Sequence, residues 1–296
     1  MLIIRHALQM TLFLMTDFHH VGSPALSFKN CRAIFVSDIH LGSKGCQAEA
    51  LLDFFRHYQA DQLYLVGDII DFWALKRRWY WPSSHSTVVQ KILRQARAGV
   101  KVTYVQGNHD PVLHLLRTFL EGDDKGLALG EIRVVPHCLH ETADGRRLWV
   151  THGDQFDLSM HYVRWLTHLG DRGYNLLLGL NRWHQRLNRL FGIRSHWSLS
   201  AFIKHRIKKA VQFISQYEEF LARECHREGY DGVICGHIHH AEIKSISGTQ
   251  YYNDGDWVES CTALIEDYDG QIHLLRWPEL LATQGQQLPL EHLESS

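Results

Sequence analysis

The sequence predicts an α/β fold built on a largely parallel sheet. Three observations carry this expectation. From residue 32 onward, short apolar runs alternate with segments of helical spacing. The apolar runs end in polar motifs containing Asp, Asn or His, and most of those motifs include a glycine. Strands alternating with helices favour βαβ units, and ligands gather at the carboxyl ends of such strands.

Taken in order, AIFVSD (33–38) is a buried strand with a polar tip, and residues 47–59 are a helix with Leu51, Leu52, Phe54 and Phe55 among its apolar positions. LYLVGD (63–68) is the second strand. Residues 85–98 form a helix that Gly99 ends, and 100–110 is a strand running into a turn. RLWVTHGD (147–154) and DGVICGHIHH (231–240) repeat the strand-then-tip pattern. Short strands near 242–246, 249–253, 262–266 and 271–276 follow, set off by SGT and DYDG turns.

Residues 155–230 interrupt this rhythm and read as helical. Over 155–228 there are 12 Lys and Arg against 6 Asp and Glu, a basic surplus in a chain whose net charge is −1. The insert is expected to form a cap that attracts an anionic substrate or touches an anionic membrane surface. A solvated basic face is the alternative. Residues 1–30 are expected to be an N-terminal extension, because their apolar start is broken by Arg5 and His6 and is too short to span a bilayer. The folded domain is expected over 31–276, with 277–296 as a C-terminal tail.

The near-neutral charge gives no global reason to expect nucleic acid as a partner. None of the six cysteines forms a C-x-x-C pair, so they read as reduced, mostly buried thiols of a cytoplasmic protein. The 22 histidines point instead towards metal chemistry.

Five motifs carry that chemistry: Asp38-Ile39-His40, Gly67-Asp68-Ile69-Ile70-Asp71, Gly107-Asn108-His109-Asp110, His152-Gly153-Asp154 and Gly236-His237-Ile238-His239. Each alone is weak, and their joint presence after apolar strands is the signal. Imidazole and carboxylate suit manganese, iron or zinc, while the lack of thiolates disfavours a structural zinc site. On a strand end, residues i and i+2 point to one side, which would pair Asp38 with His40 and His237 with His239. Asp68 is the natural bridging carboxylate, and Asn108 offers a neutral carbonyl oxygen. Two cations about 3.5–4 Å apart would polarise a phosphoryl group and provide a nucleophile near neutral pH. Asp110 and Asp154 read as turn-formers or supports for the ligands. Trp73, Trp79, Trp81 and Trp257 read first as packing residues, and residues 253–257 as a turn that could close one wall of the site.

This motif set resembles the calcineurin-like metallophosphoesterase superfamily over residues 32–276. The resemblance implies a four-layer αββα sandwich with the dimetal site at one edge. It implies that Asp38, His40, Asp68 and His239 hold one metal and that Asp68, Asn108, His152 and His237 hold the other. His109 would contact the scissile phosphate or leaving group, oriented by Asp71. Within the superfamily, SDIHL, LVGDIIDFW, GNHD, THGD and the insert before G-H-x-H are most similar to the UDP-2,3-diacylglucosamine hydrolase group. That group cleaves a pyrophosphate, typically with manganese, and holds acyl chains under its helical cap. The resemblance therefore implies two divalent ions, manganese first with iron or zinc as alternatives, and a phosphate-bearing glycolipid substrate. The basic surplus of the insert adds an expectation of peripheral contact with the inner face of a membrane. Two positions depart from that group, which has Arg where His109 stands and tends to have Glu where Asp71 stands. The Asp71–His109 pair is the generic phosphoesterase arrangement, and a phosphodiesterase or phosphatase acting on a soluble nucleotide or nucleic acid is the alternative. A non-catalytic scaffold would be expected to have lost ligands, and none is missing here.

Overall fold

A computed structural model describes residues 29–111, 127–154 and 199–286 of the 296-residue chain. The chain runs through β1 (Lys29–Val36), α1 (Ala48–His57), β2 (Tyr58–Val66), α2 (Phe72–Arg77), α3 (Ser83–Arg97) and β3 (Lys101–Val105). It continues with β4 (Leu127–Leu129), β5 (Ile132–Val135), β6 (His137–Glu141), β7 (Arg147–Thr151), α4 (Leu199–Arg227) and β8 (Gly232–Cys235). The last elements are β9 (Glu242–Ile246), β10 (Thr249–Asn253), β11 (Thr262–Glu266), β12 (Ile272–Arg276) and α5 (Trp277–Gln286).

The strands form two mixed sheets rather than one largely parallel sheet. The first has the order β12-β11-β1-β2-β3-β5-β4, and the second β6-β7-β8-β10-β9. The β1–β2–β3–β5 core of the first sheet and the β7–β8–β10 core of the second are parallel. Antiparallel strands close the edges of both. The sandwich of two sheets agrees with what the motif resemblance implied; strand β6 had no signal because it alternates buried and exposed residues and so lacks the continuous apolar run of a doubly covered strand.

The period-2 alternation of the central strands assigns their side chains to separate layers. Ala33 and Phe35 of β1, with Tyr64 and Val66 of β2, join Leu148, Val150, Ile234 and Tyr252 of the second sheet in one apolar cluster. Ile34, Val36, Leu63 and Leu65 face the other way. They pack with Leu51, Phe54 and Phe55 of α1 and with Val88 and Ile92 of α3. On the far side of the second sheet, Trp149, Val233, Cys235 and Tyr251 meet Tyr217, Leu221 and Cys225 of α4. Helix, sheet, sheet and helix are thus stacked in four layers. Each helix has the stripe this requires: α1 buries Ala48, Leu51, Leu52 and Phe55, and α3 buries His85, Val88, Ile92 and Ala96. Gly99, at φ +97°, ends α3 in the left-handed conformation.

Part of the insert is therefore structural. Residues 199–227 form α4, whose buried face covers the second sheet, whereas residues 155–198, which carry most of the expected cap, lie outside the described residues. The domain also extends past residue 276, because Trp277 is 2% exposed and packs its ring against Phe54, His57 and Tyr58. All six cysteines are unpaired, and all but Cys46 are buried. Among the described residues, no helix is long and apolar enough to cross a membrane.

Away from the motif loops, one polar network ties the sheets together. Glu266 of β11, fully buried, accepts hydrogen bonds from Arg32 Nη1 at 2.7 Å and from the Ala143 amide at 2.7 Å. Its other oxygen lies 2.7 Å from His140 Nε2, on β6 of the second sheet. Glu266→Ala should leave Arg32 and His140 facing a void and cost about 3–5 kcal/mol. Urea denaturation checks this, and a loss below about 1 kcal/mol would show that the network does not hold the sheets together.

Candidate metal centre

Every motif lies in a loop at the carboxyl end of a strand. Asp38 and His40 follow β1, Asp68 and Asp71 follow β2, and Asn108 and His109 follow β3. His152 follows β7, while His237 and His239 follow β8. The two sheets, packed face to face, bring their loops together at one edge.

The backbone there is bent in a way that strand alternation does not describe. Asp38, His40, Asp68, His237 and His239 all have φ between +49° and +72°. L-residues adopt this left-handed region only at a cost, and such strain concentrates at functional sites. The i, i+2 expectation holds for Asp38 and His40, which share one group, and does not hold for the second pair. His237 and His239, two residues apart, join different groups: Asp38, His40 and His239 form one, and Asp68, His152 and His237 form another. A third group joins His40, Asp71 and His109.

Asp68 stands between these groups. Its Oδ2 is 3.9 Å from His40 Nε2 and 4.0 Å from His109 Nε2, and its Oδ1 is 3.4 Å from His152 Nε2. Asp38 Oδ1 lies 3.1 Å from His239 Nε2 and 3.6 Å from His40 Nε2. His152 turns Nδ1 to the Val66 carbonyl at 2.8 Å, which fixes the ring and leaves Nε2 directed at the site. Nδ1 of His109 is 2.9 Å from Asp71 Oδ1, and Asp71 also caps α2 by accepting from the Ala74 amide.

The charges are strongly coupled. Burial opposes the protonated form of His40, but Asp38, Asp71 and Asp68 outweigh it and raise its pKa to about 10. Burial likewise opposes protonation of His152, and Asp68 beside it pushes its pKa well above the usual histidine range. Against the opposing effect of burial, Asp38 is held below the usual carboxylate range by His239, His40 and His152, Asp68 by His152 and His40, and Asp71 by His109, His40 and the Ala74 amide.

Further residues support the loops. Asp110, fully buried, accepts from the amides of Asp68 (2.8 Å), Gly107 (3.1 Å) and Ile70 (3.2 Å) and from the Tyr104 hydroxyl (2.7 Å). It is a clamp between the second and third loops, the support for the ligands among the two roles expected of it. Asp38 has a comparable support, since its Oδ2 accepts from the His237 amide at 2.7 Å and lies 2.6 Å from Ser37 Oγ. Ser37 Oγ is also 2.6 Å from Asp254, so residues 253–257 form a wall beside this loop. The partnership of Ser37 and Asp254, 217 residues apart, had no signal in either segment. Of the tryptophans, Trp257 is core, whereas Trp73 and Trp79 are 50% and 58% exposed.

Two observations test whether these residues suit cations. Asn108 Oδ1 and His152 Nε2 are buried with no hydrogen-bond partner, an unfavourable state for polar atoms unless a ligand completes them. The donors around them are carboxylate, amide oxygen and imidazole, the set expected for hard or borderline divalent ions. The residues fit divalent ions, which the clustered groups could hold.

Two outcomes follow. A Cβ at Gly107 would collide with the Asp68 side chain and amide, so Gly107→Ala should lower metal affinity at least tenfold while the fold survives. Isothermal titration of the two proteins measures this, and equal affinities would contradict it. Metal ligation also requires neutral imidazole, and the raised pKa values of His40 and His152 mean that protons must leave. Adding Mn²⁺ to metal-free protein at pH 7 in weak buffer should release protons, and affinity should rise with pH. An unchanged pH on saturation would contradict this.

The pattern of the calcineurin-like phosphoesterase family matches residues 31–241. A UDP-2,3-diacylglucosamine hydrolase from Neisseria meningitidis serogroup B is 26% identical over 248 residues, which is 81% of this chain and 96% of that protein. The enzyme of the same name from Haemophilus influenzae is 23% identical over 258 residues, covering 82% and 98%. Among solved structures, the E. coli phosphoesterase Yfce aligns over 82% of this chain and 98% of its own, with 16% identity and a TM-score of 0.40. A hypothetical protein from Pyrococcus horikoshii aligns over 89% and 96%, with 10% identity and a TM-score of 0.46. With the family's pattern covering most of the chain and its motif residues gathered at one sandwich edge, this protein belongs to the calcineurin-like phosphoesterase family.

Proposed function

We propose that this phosphoesterase hydrolyses a phosphoanhydride of the UDP-2,3-diacylglucosamine type, with Asp38, His40, Asp68 and His239 holding one divalent ion and Asp68, Asn108, His152 and His237 the other. The observation that carries the substrate class is the near full-length match to hydrolases named for that compound. Manganese is the metal assigned first, with iron or zinc as alternatives. Such ions would supply polarisation of the phosphoryl group and a nucleophile at neutral pH.

The chain's own residues do the remaining work. Asp68 faces both ligand groups and sets their separation. Asp71 accepts at Nδ1 of His109, which leaves Nε2 directed towards the ligand groups. As the phosphorus–oxygen bond breaks, the proton on His109 Nε2 passes to the departing oxygen and the imidazole becomes neutral. The basic insert, 155–230, would bring the anionic substrate, or the inner face of a membrane that carries it, to this edge.

The His109–Asp71 pair favours a second reading. A phosphate leaving group departs without help more readily than an alkoxide, which needs a proton. A soluble nucleotide phosphodiester therefore remains the competing substrate. Manganese-loaded protein should be tested against UDP-2,3-diacylglucosamine, cyclic nucleotides and p-nitrophenyl phosphoesters. Release of UMP from the glycolipid with the highest kcat/KM supports the first reading, and a clear preference for a cyclic nucleotide overturns it. With the cyclic nucleotide in the same assay, whose alkoxide leaving group needs the proton, His109→Ala should keep its metals and lose roughly 10²–10⁴-fold in kcat. Loss of a metal would make His109 a ligand instead.

A further inference from the structure

Trp73 has no part in the reading above, yet it touches the proposed acid. It sits in α2, of whose residues none is buried, so it contributes little to the core. Its indole, half exposed, lies against the His109 ring, with centroids 5.0 Å apart and planes 31° apart. His109 itself is 3% exposed. The segment 71–73 therefore grips residue 109 at three places. Asp71 Oδ1 lies at Nδ1, the Phe72 amide donates to the His109 carbonyl at 3.2 Å, and the indole covers a ring face. His40 also meets the His109 ring, edge-to-face at 4.9 Å. The hydrogen bond at Nδ1 does not by itself set the tilt of the ring plane, and a flat aromatic surface against the imidazole restrains that tilt.

We propose that Trp73 is a positioning residue, whose indole holds the His109 ring in the plane that points Nε2 at the departing oxygen. This rests on the acid role given to His109 above, and the test separates the two. Manganese-loaded wild type, Trp73→Ala, Trp73→Phe, His109→Ala and the Trp73→Ala/His109→Ala double variant are compared on two uridine 5′-phosphodiesters. One carries p-nitrophenol, which leaves without a proton, and the other ethanol, which does not. Trp73→Ala should lower kcat for the ethyl ester about tenfold and for the nitrophenyl ester less than about twofold, with KM and bound metal unchanged. Trp73→Phe should restore most of the loss, and Trp73→Ala should have no further effect in the His109→Ala background. Equal losses on both esters, loss of metal, or losses that add in the double variant would overturn the proposal. If His109→Ala itself treats both esters alike, the acid role fails and this proposal with it.

Discussion

The position of one carboxylate, Asp68, constrains everything at the sheet edge. Its backbone is held at φ +54°, its amide donates to Asp110, and its carbonyl accepts from the His40 amide at 2.9 Å. Its side chain accepts from the His109 amide at 2.8 Å while facing imidazoles from loops of both sheets. A carboxylate that is 2% exposed among histidines is unfavourable unless opposite charge surrounds it on several sides. The fold meets that condition by delivering loops from both sheets to one point. Gly107 is required because any side chain there would occupy the space of this carboxylate.

The four layers serve that delivery. A single sheet presents its strand ends in a row, whereas two sheets packed face to face present two rows across a gap. Asp38, Asp68, Asn108 and His109 come from the first sheet, and His152, His237 and His239 from the second. Aromatic and aliphatic side chains set the distance between the rows near the middle, and the Arg32–Glu266–His140 network does so away from the site.

Much of this was legible in the residues. The apolar runs of β1, β2 and β3 and the polar tips after them marked both the strands and the site, because a strand covered on both faces must be apolar and a strand end at a ligand must not be. The tail strands were also legible from their turn residues. The two-sheet sandwich was legible only through the motif resemblance, and β4 to β6 were not legible, since they are short or one-sided and their pairing is a matter of long-range topology. The left-handed backbone of Asp38, His40, Asp68, His237 and His239 was also hidden. Asp and His enter this region more often than most residues, but too rarely for the sequence to mark which positions do so. Asp110, Asp254 and Trp73 acquire roles through partners far along the chain, which a motif read locally does not reveal.

The central claim is that Asp68 joins two metal positions into one site. Metal content per chain, measured by elemental analysis after loading with Mn²⁺ and gel filtration, tests this most directly when wild type and Asp68→Asn are compared. The account predicts about two ions per wild-type chain and loss of at least one in the variant, whose thermal unfolding without metal stays cooperative. Two tightly held ions in Asp68→Asn, or no stoichiometric metal in the wild type, would contradict it.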